Sequence, residues 1–339
     1  MRIALVSDAW APQINGVVRT LTMLIRELGA RGHEVTRITP ELFRTLPCPT
    51  YPEIRLALRP GRRVAELMAA ARPDAIHITT EGPLGIAARR YCLAHGYGFT
   101  TAFHTRFPEY VAARFSVPAS WSYALMRRFH APSKGVMVAT DTVRNELAAR
   151  GFCNLRRWSR GVDAEAYDPA LREELPGIKR PIFLGVGRVA VEKNFAAFLA
   201  LDLPGSKVVI GDGPMIDELK RRHPEAHFFG KREGRELARL YASADVFVFP
   251  SRTDTFGLVL LEALASGLPV AAYPVPGPLD VIASSGAGVL DEDLGRAALA
   301  ALDIPRERCR AHALRYTWTA SADQFVENLW LLDAPLKAA

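Results

Sequence analysis

The stretch "RIALVSDAWAPQINGVVRTLTMLIRELGARGHEVTRIT", residues 2–39, decides the fold class. It opens with an apolar run at residues 2–7, which is typical of a buried strand. Apolar residues at helical spacing follow, and Gly29 and Gly32 punctuate the end of that segment. A second strand-like run occupies residues 33–39. A strand, a helix and a strand in this order predict a parallel β-α-β unit at the start of the chain.

The same alternation continues outward from this unit and restarts once. Further strand-like runs, with helical segments between them, lie at residues 74–80, 98–104, 135–140, 180–188 and 206–214. A polar segment with two prolines, residues 164–180, separates the two series and marks a domain boundary. The pattern predicts an α/β protein of two doubly wound, Rossmann-like domains with an interdomain cleft, and ligands that bind at the carboxyl ends of the strands.

The composition excludes several classes of protein. The chain has 339 residues, 49% of them hydrophobic, which is enough for two domains with large cores. No apolar run reaches the roughly 20 residues of a membrane-spanning helix, and the chain does not begin with the pattern of an export signal. Cys48, Cys92, Cys153 and Cys309 are scattered, which favours neither a disulfide framework nor a zinc site. We therefore expect a cytoplasmic protein.

The net charge of +7 is unevenly distributed. Residues 1–165 carry 23 Lys and Arg against 13 Asp and Glu, a net charge of +10, whereas residues 166–339 carry 20 against 23, a net charge of −3. The basic half suits a nucleic acid, an acidic glycan or an anionic membrane surface. A generally arginine-rich composition explains the charge equally well, so the sequence leaves these alternatives open.

Three loops that follow predicted strands carry residues suited to a phosphate ligand. Gly16 precedes the first helix, where backbone amides can approach an anion, although it is also consistent with an ordinary loop glycine. Arg188 and Lys193 could grip a diphosphate, or form a surface pair with Glu192. Gly211 permits close approach of a ligand, or simply a tight turn. The dinucleotide fingerprint G-x-G-x-x-G is missing, which disfavours an NAD-dependent oxidoreductase.

The stretch "TDTFGLVLLEALASG", residues 253–267, carries the most specific pattern. Gly257 marks the start of a helix whose first amides, those of residues 256–259, are donors for a pyrophosphate. Glu262 stands in an apolar helix, where an unpaired carboxylate is costly, and it can accept hydrogen bonds from two ribose hydroxyls. Asp254 precedes the helix, on the side where a sugar attached to that pyrophosphate would lie. Alternatively, Asp254 merely complements the helix dipole.

Taken together, these motifs resemble those of retaining glycosyltransferases of family four, which have the GT-B fold. The resemblance covers nearly the whole chain. It rests on the Gly16 loop, "FHTRFPEY" (103–110), "GVGRVAVEKN" (185–194), "GDGP" (211–214) and "DTFGLVLLEALASGLPV" (254–270). The family pattern has two acids eight residues apart in the last stretch, and here the first is Asp254 where most members have Glu. Within the family, "FHTRFPEY" and "RRWSRGVD" (156–163) are similar to bacterial GDP-mannose-dependent α-mannosyltransferases.

The resemblance implies that different domains bind the acceptor and the donor. It implies an acceptor-binding domain at residues 1–165, a donor-binding domain at residues 166–320 and a C-terminal helix at residues 321–339 that crosses back to the first domain. A hexose, with GDP-mannose as the expected donor, would pass to an acceptor hydroxyl with its anomeric configuration kept. The alternative donors are UDP-glucose and UDP-glucuronate. Closure of the two domains would exclude water.

The resemblance also implies the site residues. The donor-binding residues are expected to be Gly16, Arg188, Lys193, Gly211, Phe256, Gly257, Leu258, Val259 and Glu262. The catalytic residues are expected to be His104, Asp254 and Glu262. No metal and no cofactor are implied, since cations and amides would neutralise the leaving diphosphate. We interpret the acidic triplet at residues 291–293 as a helix start.

The segment "SWSYALMRRFH", residues 120–130, combines aromatic and basic side chains, as do the arginines of residues 59–63. This combination suits an anionic membrane surface, or is simply the wet face of an amphipathic helix. The first interpretation predicts a lipid or lipid-linked glycan acceptor in envelope glycoconjugate synthesis and a peripheral association with the inner face of the cytoplasmic membrane. No nucleic-acid partner is expected.

The rival functions are a nucleotide-sugar epimerase, a nucleic-acid-binding protein and a non-catalytic carbohydrate-binding protein. An epimerase would convert the donor without an acceptor. A nucleic-acid-binding protein would need its basic residues on one contiguous face and a steep salt dependence. Asp254 in place of Glu is the only support for a non-catalytic protein.

Overall fold

The structure is a computed structural model that describes residues 1–13, 15–48, 51–106 and 118–332, without the side chains of residues 51 and 52. The second half of the motif at 103–110, from residue 107, lies outside the described residues. The chain forms two compact units: Met1–Ser159 with Trp318–Ala339, and Arg160–Thr317. The sequence analysis put the boundaries after residues 165 and 320.

The first unit is built on a six-stranded sheet in which every pairing is parallel. The order of its strands is β2-β1-β5-β6-β7-β8. These strands are β1 (Arg2–Val6), β2 (Glu34–Ile38), β5 (Ala75–Ile78), β6 (Thr100–Phe103), β7 (Gly135–Val138) and β8 (Leu155–Arg157). A separate antiparallel pair consists of β3 (Thr45–Cys48) and β4 (Tyr51–Ala57).

Helices cover both faces of this sheet. They are α1 (Gly16–Ala30), α2 (Gly61–Ala71), α3 (Pro83–His95), α4 (Ala119–His130), α5 (Asp141–Ala149) and, at the end of the chain, α13 (Trp318–Asn328). Because side chains alternate along a strand, Ala4 and Val6 pack with residues of α2 and α3, whereas Ile3 and Leu5 pack with residues of α1 and α13. Phe325 of α13 is fully buried in the second of these clusters.

The second unit repeats the architecture with a second all-parallel six-stranded sheet. The order of its strands is β11-β10-β9-β12-β13-β14. These strands are β9 (Ile182–Val186), β10 (Ser206–Ile210), β11 (His227–Gly230), β12 (Val246–Phe249), β13 (Val270–Ala272) and β14 (Gly288–Leu290). The prediction of two doubly wound α/β domains is confirmed.

Seven helices, α6 to α12, are described in the second unit. They are α6 (Phe195–Leu199), α7 (Ile216–Arg222), α8 (Gly234–Ser243), α9 (Leu258–Ala265), α10 (Pro278–Ile282), α11 (Leu294–Ala301) and α12 (Arg306–Ala313). Three short 3-10 helices, Pro40–Leu42 in the first unit and Pro169–Leu171 and Val191–Lys193 in the second, complete the helical elements that are described. Val246 and Val248 pack with α6 and α11 on one face, and Phe247 contacts Tyr241 of α8 on the other.

Because all strands of a sheet run in one direction, the loops that follow them meet at one edge. This edge of the second unit gathers the loops after β9, β10 and β12, which hold most of the predicted donor-binding residues. Within the described residues, no helix is both long and apolar enough to cross a bilayer.

Candidate active site

The loops after β9 and β10 pack backbone against backbone. Gly211 has a φ of +143°, and a Cβ atom on it would lie only 1.8 Å from the carbonyl oxygen of Gly187. Gly213 faces Val189 in the same way, with 2.4 Å between a Cβ atom and the carbonyl oxygen. Only glycine fits these positions, so the close packing of the two loops explains why residue 211 is glycine. Its contact with a donor stays a prediction.

Lys193 and Asp254 meet at the carboxyl end of this sheet. The Nζ atom of Lys193 donates to Oδ1 of Asp254 at 2.5 Å, and the two side chains are 27% and 17% exposed. Lys193 ends a 3-10 helix after β9, and Asp254 follows β12, which is the neighbour of β9 in the sheet. The Oδ2 atom of Asp254 is buried and has no hydrogen-bond partner in the described part of the chain. One carboxylate oxygen therefore binds the cation, and the other is a buried acceptor without a partner among the described residues.

The start of α9 lies a few residues further along. Gly257 occupies the N-cap position with a φ of +82°, and no hydrogen bond from a side chain caps the helix within the described residues. The loop of Gly277 presses on it, since a Cβ atom there would lie 2.9 Å from the carbonyl oxygen of Phe256. A helix start of this kind presents amide donors and a positive dipole end. Phe256, Gly257, Leu258 and Val259 are thus placed where an anion can bind.

Glu262 lies in the middle of α9 and is only 4% exposed. Its Oε2 atom accepts a hydrogen bond of 3.1 Å from the hydroxyl of Tyr241, which is fully buried in α8. This hydrogen bond offsets part of the cost of burying a carboxylate among apolar neighbours. The sequence analysis did not single out Tyr241. The available signal was a polar hydroxyl on the buried face of a helix.

Two arginines of α12 fix the other end of α9. Arg306 donates to the carbonyl oxygens of Ala242, Ala244 and Ser266, at 2.7 to 3.0 Å. Burial lowers the pKa of its guanidinium to about 10. Arg310 donates to the carbonyl oxygen of Ala265 at 2.7 Å. The carbonyl end of α9 is therefore satisfied by side chains, in contrast to its amide end.

The predicted site residues of the first unit are in different surroundings. Gly16 is exposed at the start of α1, but Asn15 is the N-cap residue, and its side chain accepts hydrogen bonds of 3.0 Å from the amides of Val17 and Val18. His104 follows β6 and is half-buried, with its ring edge-on to that of Trp158 at 5.5 Å. The roles of Gly16 and His104 in substrate binding stay predictions.

Asp8, in the loop after β1 of the first unit, is a buried polar residue that was not predicted from the sequence. It is 6% exposed, and its carboxylate accepts hydrogen bonds from the amides of Leu84 and Gly85 and from the hydroxyl of Thr80. It thus caps the start of α3 from the loop after β1. Burial is the largest influence on the pKa of Asp8 and raises it, whereas the hydrogen bonds to the carboxylate act in the opposite direction. No local signal pointed to it, because its partners lie more than 70 residues along the chain.

The remaining predicted residues are readily located. Arg188 is half-buried in the loop after β9. Asp293 is the N-cap residue of α11 and accepts from the amide of Arg296, whose guanidinium pairs with Asp291. The interpretation of the acidic triplet as a helix start is therefore confirmed. Among the described residues, no group of three or more His, Cys, Asp and Glu side chains is arranged to hold a metal ion.

Comparison with known proteins agrees with this geometry. Residues 14–166 match the family described as Glycosyltransferase Family 4, and residues 180–303 match Glycosyl transferases group 1. A GDP-mannose-dependent alpha-mannosyltransferase of Mycolicibacterium smegmatis is 31% identical over 96% of both chains. The chain belongs to glycosyltransferase family 4. It is a glycosyltransferase that uses a nucleotide sugar, as the resemblance implied.

Other relatives in the family carry different names. The sulfoquinovosyl transferase SQD2 of Arabidopsis thaliana is 32% identical over 79% of this chain, which spans 58% of the length of that protein. An alpha-monoglucosyldiacylglycerol synthase of Streptococcus pneumoniae is 28% identical over 89% of this chain and 78% of its own. Among solved structures, Anabaena HepE in complex with UDP and glucose covers 96% of this chain and 98% of its own, with a TM-score of 0.70 at 15% identity. These structural neighbours confirm the GT-B fold.

Proposed function

We propose that this family 4 glycosyltransferase is a retaining, metal-independent mannosyltransferase. It would move mannose from GDP-mannose to a lipid or lipid-linked glycan of the cell envelope. The observation that carries the proposal is the uncapped start of α9 beside the Lys193–Asp254 pair, at one edge of one sheet. This edge offers amides, a cation and a carboxylate, which are the groups that a diphosphate sugar requires.

In this proposal the donor diphosphate binds at the start of α9. The amides of residues 256–259 and the cations of Lys193 and Arg188 neutralise it, and they stabilise the negative charge that builds as the diphosphate leaves. These groups supply the positive charge that a metal ion supplies in other phosphoryl sites. Glu262, one turn further along α9, accepts hydrogen bonds from the ribose hydroxyls.

The transferred sugar would lie on the side of Asp254. The Oδ2 atom of Asp254 accepts a bond from a sugar hydroxyl, which satisfies an oxygen that has no partner among the described residues. The acceptor hydroxyl attacks the anomeric carbon on the face that the diphosphate leaves, the bond to the diphosphate breaks, and the acceptor proton passes to the leaving phosphate oxygen. The configuration at the anomeric carbon is thus kept.

The relatives support mannose as the transferred sugar. Several relatives of about 30% identity are named GDP-mannose-dependent alpha-mannosyltransferases, and they match this chain over most of its length. A second candidate is a glycolipid glycosyltransferase that uses UDP-glucose or UDP-glucuronate. The solved complex of HepE with UDP and glucose, and the relative named for monoglucosyldiacylglycerol, favour this candidate.

The thermal midpoint of the purified protein with GDP, UDP and NAD tests the donor. A nucleotide at ~100 times its Kd adds about 2.7 kcal/mol to the free energy of unfolding and raises the midpoint. A rise with GDP alone, unchanged by a chelator, is the expected result, followed by transfer of α-mannose from GDP-mannose to envelope lipid. A rise with UDP alone would replace mannose by glucose or glucuronate. No rise with GDP or UDP would contradict the proposal.

A cationic, partly apolar surface of the first unit supports the lipid acceptor. On α4 the side chains of Trp121 and Leu125 are 74% and 71% exposed. Neither α3 nor α4 contains an acidic residue. Burial lowers the pKa of Arg89, and the neighbouring charges of Arg128 and Arg90 act in the same direction. Exposed apolar side chains on a helix whose charged residues are all basic suit an anionic bilayer surface.

Sedimentation with lipid vesicles tests this surface. We expect the wild type to bind vesicles that contain phosphatidylglycerol, and not to bind vesicles of phosphatidylcholine. The double variant W121A/L125A should lose this binding and keep its affinity for the nucleotide. Leu299→Ala, which removes an exposed leucine of the second unit, is the control. Equal binding by the double variant and the wild type would contradict the assignment.

A further inference from the structure

The hydroxyl of Tyr241 is held on the carboxylate of Glu262 by a rigid frame. The ring of Tyr241 is edge-on to that of Tyr167 and tilted against that of Phe247, with 5.7 Å between ring centroids in each pair. The side chain of Tyr241 is fully buried. Rotation of the ring away from Glu262 would require the surrounding core to repack.

The backbone beneath this pair is fixed as well. Arg306 binds the carbonyl oxygen of Ala242, next to Tyr241, and the carbonyl oxygen of Ser266, just after α9. One guanidinium therefore ties the end of α8 to the end of α9. The distance between the tyrosine hydroxyl and the glutamate carboxylate is set by these two helices together.

A carboxylate that is to bind two adjacent hydroxyls must present its oxygens in one orientation. Glu262 has three rotatable side-chain bonds, and a hydrogen bond to one oxygen removes much of that freedom before a ligand arrives. The hydroxyl of Tyr241 donates to Oε2 at 3.1 Å. Glu262 is the acidic residue of α9, and it is 4% exposed.

We infer that Tyr241 is a positioning residue, which orients Glu262 for the ribose diol of the donor nucleotide. The inference rests on the proposed function, since it requires Glu262 to bind the ribose. Tyr241 touches no substrate in this scheme, and it acts through the carboxylate alone. Its contribution must therefore depend on the ribose hydroxyls, which a merely structural tyrosine would not sense.

The experiment compares the affinities of the full-length protein for GDP and for 2′,3′-dideoxy-GDP, with the UDP pair in parallel, by calorimetry. In the wild type we expect the dideoxy nucleotide to bind at least about 10-fold more weakly, because hydrogen bonds to a charged group are lost. Tyr241→Phe keeps the ring and removes the hydroxyl. We expect this variant to bind GDP about 5- to 10-fold more weakly, and its affinity for the dideoxy nucleotide to change less than 2-fold.

Three further variants serve as references. Tyr123→Phe removes the hydroxyl of another buried tyrosine, in the first unit, and should leave both affinities unchanged. Glu262→Gln should remove most of the preference for the ribose, and adding Tyr241→Phe to it should cause no further loss. This double variant keeps the test valid if Tyr241→Phe is less stable, because a stability effect would persist when Glu262 has been replaced.

The outcomes separate the inference from the function on which it rests. If the wild type binds both nucleotides of a pair equally, the assignment of Glu262 to the ribose is wrong, and the inference falls with it. If the wild type prefers the intact ribose and Tyr241→Phe keeps the same preference, Tyr241 is not a positioning residue and the proposed function stands. A selective loss of affinity for the intact ribose in Tyr241→Phe supports the inference.

Discussion

The carboxyl ends of the two sheets use their polar groups in different ways. In the first unit, Asp8 accepts three hydrogen bonds and caps α3, and Asn15 caps α1. In the second unit, α9 begins at Gly257 with no side-chain cap within the described residues, and Asp254 keeps one buried oxygen without a partner there. Side chains thus bind amides at the starts of α1 and α3 in the first unit, whereas among the described residues no side chain caps α9 in the second.

This difference separates two glycines that the sequence presents alike. Gly16 and Gly257 each precede or open a helix after a strand. The helix that follows Gly257 is open at its amide end, while two amides of the helix at Gly16 are already bonded to Asn15. The comparison favours the start of α9 over the start of α1 as the proposed anion site, because no side chain among the described residues competes for its amides.

The largest effect is expected from the cation of the second edge. Lys193→Ala removes a point charge beside the leaving diphosphate, and we expect kcat/KM for transfer to fall by about 100-fold or more. Asp254 also loses the ammonium group that donates to its Oδ1 atom, so the carboxylate is no longer held in this position. The initial rate of nucleoside diphosphate release, with a saturating acceptor extract, measures the loss.

The matched control for this variant is Lys220→Ala. Lys220 is an exposed lysine of α7, so its removal tests the effect of net charge alone. We expect less than a 2-fold change in rate, since an exposed charge contributes little. A Lys193 variant that transfers sugar as fast as the Lys220 variant would contradict the placement of the diphosphate.

The fold was predictable because it depends on patterns that the chain repeats locally. Apolar strands alternate with amphipathic helices, and the loops after those strands must share an edge. Partners at that edge were not predictable in the same way. The pairing of Lys193 with Asp254 could not be read from the sequence, because 61 positions separate the two residues and they meet only since β9 and β12 are neighbours in the sheet.

Tyr241 and Asp8 show the same limit. Each forms a buried hydrogen bond with a group on another element: Tyr241 with Glu262 of α9, and Asp8 with the start of α3. A single sequence gives the chemistry of each residue but not the packing that selects its partner. The carboxylate of Glu262 was recognisable, since a charge in an apolar helix is conspicuous, but the hydroxyl that orients it was not.

The next largest effect compares the two glycines directly. Gly257→Ala forces an alanine into a left-handed conformation and brings its Cβ atom to 3.0 Å from Leu260. We expect nucleotide affinity to fall by about 10-fold and the free energy of unfolding to fall by about 1–2 kcal/mol. Gly16→Ala, at the exposed start of α1, should lower nucleotide affinity less than Gly257→Ala does, because Asn15 already occupies two amides of α1. Equal losses in calorimetric titrations would mean that both helix starts bind the anion.

The smallest effect concerns the cap that distinguishes the first edge. Asn15→Ala removes the acceptor of two amides of α1 and should cost about 1 kcal/mol of stability, measured by urea unfolding. Nucleotide affinity should not change if the donor binds in the second unit, as proposed. A tighter affinity for GDP or UDP in this variant would contradict this expectation. It would show that Asn15 blocks an anion site at α1, and that the first edge differs from the second only by one side chain.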